Sequence, residues 1–134
     1  MSWNLYRLFL TALAMACVVG LSSCGHDQQL VSIAVQPSSG FFLTPNSVGI
    51  IQLTALGTYI HPPETKDITD KVTWASDVSG VVTVSPSGAV STSGTGGCGI
   101  ANVTATYVTN NPSGNVVTGS ATITVHNTAI PICP

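Results

Sequence analysis

Between residues 30 and 126 apolar side chains recur at every second position, in short runs cut by turn-forming residues. That period limits the fold more than any other property of the chain. Ala121, Ile123 and Val125 alternate with Ser120, Thr122 and Thr124, and Ala101, Val103, Ala105 and Tyr107 alternate with Asn102, Thr104 and Thr106. A period of two places successive side chains on opposite faces of an extended strand, so each run has one face for a core and one for water. A helix would need a period of 3.6, which these runs lack.

The remaining runs follow the same rule. Val31, Ile33 and Val35 form the first, ended by Pro37-Ser38-Ser39-Gly40, and Phe41-Phe42-Leu43 is a short second piece stopped by Thr44-Pro45-Asn46. Ile51, Leu53, Ala55, Gly57 and Tyr59 share one face of a strand that His61-Pro62-Pro63 breaks, because proline cannot donate to a ladder. Glu64 to Lys71 is the most charged stretch and reads as a surface loop. Val72-Thr73-Trp74 opens what reads as a central strand, with Trp74 as core anchor because an indole buries a large area. Val82 and Val84 precede the turn string Ser85-Pro86-Ser87-Gly88, Ala89-Val90 follows it, and Asn110 to Asn115 joins the last two runs. Together they predict an all-β fold, an antiparallel β-sandwich of about seven strands.

Charged residues make up 6% of the chain, and the formal net charge is −2. Beyond the first 23 residues the cations are Lys66 and Lys71, set against Asp27, Glu64, Asp67, Asp70 and Asp77. Without a basic patch there is no electrostatic footprint for nucleic acid. Serine, threonine, valine and glycine take the place of charges, a composition suited to strand faces and tight turns.

The N-terminal segment has a different logic. Arg7 precedes an apolar run from Leu8 to Gly20 interrupted by Thr11, too short for the ~20 residues of a spanning helix and close to the core of an export signal. Leu21-Ser22-Ser23-Cys24 then resembles the lipobox of bacterial lipoproteins. The resemblance implies cleavage after Ser23 and fatty acylation of Cys24, with palmitate-type chains. Cys17, inside the apolar run, belongs to the discarded leader. The chain thus divides into a helical signal peptide (1–23), a lipidated tether (24–29), the sandwich (30–126) and a tail (127–134). Gly25 follows the cysteine; the absence of aspartate there points to the outer membrane in a Gram-negative cell.

Several strings also resemble the bacterial Ig-like domain, group 2. These are Val31-Ser32-Ile33-Ala34-Val35-Gln36-Pro37-Ser38, Leu53-Thr54-Ala55-Leu56-Gly57-Thr58-Tyr59, Asp67-Ile68-Thr69 and Val72-Thr73-Trp74-Ala75-Ser76. They continue in Val82-Thr83-Val84-Ser85 with Ser87-Gly88, in Ala101-Asn102-Val103-Thr104-Ala105, and in Gly119-Ser120-Ala121-Thr122-Ile123-Thr124-Val125. The resemblance runs from Leu30 to His126 and implies an Ig-like sandwich used for adhesion or structure. The chain departs from the pattern in a cysteine at 98 and in a long connection at Asn110 to Asn115.

Chemistry-bearing groups are sparse. In the oxidising setting of an exported protein, Cys98 and Cys133 form an even pair and suggest a disulfide. Glu64, Asp67, Asp70 and Asp77 are close in sequence, but their spacing fits no calcium loop and Lys66 and Lys71 offset them, so they read as a solvated face. Cys98 with His61 or His126 makes a weaker zinc pattern, without paired spacing. No metal or other cofactor is expected. Asn102-Val103-Thr104 is a chance glycosylation sequon.

The leading expectation is therefore a non-enzymatic, membrane-anchored envelope lipoprotein with one Ig-like interaction module. Its partners are the membrane, through the lipid, and a protein or glycan. One alternative is a carbohydrate-binding lipoprotein with Phe41, Phe42 or Tyr59 stacked on sugar. A remote one is an envelope hydrolase with His61 or His126 beside a serine.

Overall fold

A computed structural model describes residues 28–45, 49–94, 97–110, 114–130 and 133. The segment expected to be a helical signal peptide, the lipobox and Cys24 lie outside the described residues. Within them the chain forms strands and no helix.

Strand β1 (Gln29–Gln36) pairs antiparallel with β4 (Thr54–Ile60), which pairs in turn with β5 (Glu64–Asp67). A four-stranded sheet has the order β2 (Ser39–Thr44), β10 (Val116–Asn127), β9 (Gly99–Val108), β6 (Thr73–Ser76). In it β2 runs parallel to β10, and the other pairs are antiparallel. The third sheet is β3 (Ile51–Gln52), β8 (Ala89–Thr92), β7 (Val82–Val84). Only Leu53 separates β3 from β4, and its amide donates to the Gly88 carbonyl at 2.9 Å. The two smaller sheets therefore continue one another, and their buried faces share one core with the four-stranded sheet, as in a β-sandwich.

That core is the alternation made three-dimensional. Leu53, Ala55, Ile68, Val82, Val90, Ala101, Val103, Ala105, Ile123 and Val125 are fully buried. Small residues let the layers approach: a Cβ at Gly119 on β10 would overlap the Ile33 carbonyl oxygen of β1 and stand 2.9 Å from Ile33 Cγ2.

Five expectations change. Among the described residues ten strands stand where about seven are expected, because runs are split and an edge strand is added, and the pair β2–β10 is parallel and not antiparallel. The first run is out of register by one residue at its start, because a bulge lies between Leu30 and Ser32. Leu30 is thereby buried, at 4% exposure, and Val31 is 44% exposed. The Ile51–Tyr59 run is two strands, because Leu53 turns its amide to Gly88 in the tight turn. Glu64 to Asp67 is a strand and not a loop: it is an edge strand whose charged side chains reach solvent while its backbone pairs with β4. Trp74 is buried with the core, yet β6 is at the edge of its sheet and not at the centre. Trp74 is held because its Nε1 donates to the Thr69 carbonyl at 3.0 Å. Thr69 Oγ1 accepts from the Ala55 amide at 2.9 Å and donates to Asp67 Oδ1 at 2.6 Å, tying the turn after β5 to the core.

The sandwich has two distinct ends. Gln29 pairs with Ile60 and Val108 with Val116, so the start of β1, the end of β4 and the β9–β10 connection share one end, named the tether end because Gln28 precedes β1 there. At the far end the Cys98–Cys133 disulfide joins the loop before β9 to the segment after β10, with 5.7 Å between the Cα atoms. The Thr128 amide donates to the Thr44 carbonyl at 3.0 Å there, closing the end of β2.

Candidate functional site

Two surfaces stand out, one at each end. At the tether end an open cleft of about 430 Å³ lies between Leu30, Tyr59 and Tyr107, bordered by Gln28, Gln29, Thr109 and Asn110. Tyr59 is on β4 and Tyr107 on β9, so the cleft spans the two layers. Burial raises the Tyr59 hydroxyl above its ordinary pKa, and the nearby Tyr107 adds to the rise while Lys66 opposes it. The Lys66 ammonium lies 5.5 Å from the Tyr59 ring centre, within cation–π range.

The first described residue is fixed beside this cleft. Lys66 Nζ donates to Gln28 Oε1 at 2.7 Å and pairs with Glu64 Oε2 at 2.9 Å, while Gln28 Nε2 donates to Glu64 Oε2 at 3.2 Å. Hydrogen bonds from Lys66, then Gln28, lower the Glu64 pKa. These groups are exposed, so the network orients the chain more than it stabilises the fold.

On the outer face of the four-stranded sheet, toward the far end, Phe41 pairs across with Thr124 and Thr124 with Ile100. Phe41 is 60% exposed, Ile100 55% and Leu43 41%. Three large apolar side chains therefore reach solvent on one face.

The remaining sequence-stated groups separate. Phe42 is buried and cannot stack on a sugar; Phe41 and Tyr59 belong to different surfaces and make no aromatic row. His61 occupies the turn after β4 at the tether end, with φ 64°, and His126 is on β10 near the disulfide, so the two sit at opposite ends. The Cys98 sulfur is committed to Cys133, which removes it as a thiolate ligand. Asp67 accepts from Thr69, side chain first and then amide, and Asp77 from Asn102 in the same way; these bonds lower both pKa values. Among the described residues no three His, Cys, Asp or Glu side chains converge. The sequon residue Asn102 donates its amide group to Asp77 Oδ2 at 2.9 Å and accepts from Thr122 Oγ1 at 3.1 Å.

Tyr107 escaped sequence reasoning as a site residue, because it reads as one more inward position of β9. A signal existed: Tyr59 and Tyr107 each sit near the end of an alternating run, next to a polar turn. No protein-family model matches the chain, and a search of curated proteins finds no match.

Proposed function

We propose that the chain is a bacterial envelope lipoprotein, held to a membrane by acylated Cys24, whose Ig-like sandwich is a non-enzymatic interaction or structural module of the adhesion type. The Ig-like assignment draws on the family resemblance of Leu30 to His126. It is supported by the strand arrangement: β2 leaves the layer of β1 and runs parallel to β10, in the order β2-β10-β9-β6. Fold alone does not define the role.

The observation that carries the interaction role is the polarity of the domain. The chain enters at one end, and the exposed Phe41, Leu43 and Ile100 lie toward the other on one sheet face, with Thr124 between Phe41 and Ile100, an apolar group suited to a contact. The lipid fixes the position of that surface and raises its local concentration. The test is palmitate labelling and fractionation of cells producing wild type or Cys24→Ser. Label and membrane association should both vanish in the variant. A variant that stays equally membrane-bound contradicts the anchor. For the contact role, a crosslink to a defined envelope component should be lost in Phe41→Glu and kept in Thr83→Glu, since Thr83 is exposed on β7 of the third sheet; equal crosslinking in both contradicts it.

A further inference from the structure

We infer that the tether end is a membrane-docking surface, on which Tyr59, Tyr107, Val31, Val108 and Val116 seat in the headgroup layer of the bilayer. The inference rests on the anchor proposed above and adds an orientation to it.

The segment between the acylated position and the domain is short. Residues 25–27 separate the acylated position, Cys24, from Gln28, and these four steps span at most roughly 14 Å even when extended. Gln28 itself borders the cleft and is held there by Glu64 and Lys66. A lipid at residue 24 therefore keeps Gln28 and the cleft beside it within roughly 14 Å of the acylated position.

Val108 and Val116 are direct cross-strand partners on the outer face of one layer, and Val31 is exposed on the other, so apolar side chains flank the end on both layers. Between them Tyr59 and Tyr107, half-buried against the core, line the cleft with rings that carry hydroxyls, the amphipathic chemistry favoured at a membrane–water boundary. Lys66 is matched by Glu64, so among the described residues this end shows no basic cluster that would bind lipid without the acyl chain. Docking on this end leaves Phe41 and Ile100 at the far end of the same sheet face, away from the bilayer.

The test uses full-chain protein, acylated in cells and reconstituted in vesicles of phosphatidylethanolamine and phosphatidylglycerol with brominated acyl chains. Single tryptophans are introduced by Val108→Trp and by Phe41→Trp, both at exposed sites of one sheet face. Eight residues of β9 separate Val108 from Ile100, the neighbour of Phe41 across Thr124, or roughly 27 Å. Relative to wild type, bromine quenching should be several-fold greater for Val108→Trp than for Phe41→Trp. Equal quenching, or more at Phe41→Trp, overturns the orientation. Vesicle flotation with no quenching at either site leaves the anchor standing and overturns the docking. Failure to float overturns the anchor reading and the docking with it. A fluorescence change of Val108→Trp with soluble chitooligosaccharide but not with vesicles would make the cleft a sugar site and overturn the proposal.

Discussion

Replacing Cys98 and Cys133 together by serine opens a loop whose ends are 35 residues apart in sequence. For that length the chain-entropy relation gives about 12.7 cal/mol/K, or about 3.8 kcal/mol at 25 °C, released to the unfolded chain. The folded side changes less. The Asn127 amide donates to Cys133 Sγ at 3.1 Å, and a serine hydroxyl can accept in its place. For a domain of roughly 100 residues, 1 kcal/mol moves the melting temperature by about 4.5 °C, so the double variant should melt about 17 °C lower. Urea titration of residues 25–134, followed by emission of the buried Trp74, reads both stability and the denaturant slope. The slope should rise, because the unfolded chain loses its cross-link and exposes more surface. A fall below about 5 °C with an unchanged slope would refute an origin in the unfolded state.

The other expectations test the core, the layer contact and the acidic groups. Trp74→Phe removes the donor to Thr69 and part of the ring, and should cost about 1–3 kcal/mol, whereas Phe41→Ala should stay within about 0.5 kcal/mol by the same urea titration. Gly119→Ala pushes a methyl into the Ile33 backbone and should cost at least about 2 kcal/mol, while Gly80→Ala, with open space around its Cβ, should be near neutral; equal melting of the two variants contradicts the close layer contact. The folded pKa of Asp77 is lowered by Asn102, so its contribution is complete above about pH 4 and lost as the pH falls through the folded value. Asp77→Asn should flatten the stability profile below about pH 4 and leave the slope from about pH 5 to 8 unchanged, as read by circular dichroism.

What the sequence makes legible is the inward or outward direction of side chains. Ala121, Ile123, Val125 and the Ala101–Ala105 positions are buried as their alternation predicts. Direction is a local property of an extended backbone, and strand order is not. Trp74 reads as lying on a central strand, yet β6 is an edge strand, held by its pairing with β9 and by an indole buried in the core and bonded to Thr69. Glu64 to Asp67 escapes as a strand because an edge strand can expose charges on its side chains while pairing through its backbone. The bulge at Leu30 shifts burial by one position, which composition cannot signal. The disulfide is readable from the count of cysteines and the expected oxidising setting. The Tyr59–Tyr107 cleft depends on two layers meeting, so its halves look unremarkable when taken along the chain.

The central claim is that a lipid on Cys24 holds the domain to a membrane. Intact-mass measurement of the protein extracted from membranes tests it most directly. The account predicts a chain beginning at Cys24 and heavier than its peptide by two or three acyl chains with their glycerol. A membrane-extracted chain that retains residues 1–23, or one that begins elsewhere without added lipid, contradicts it.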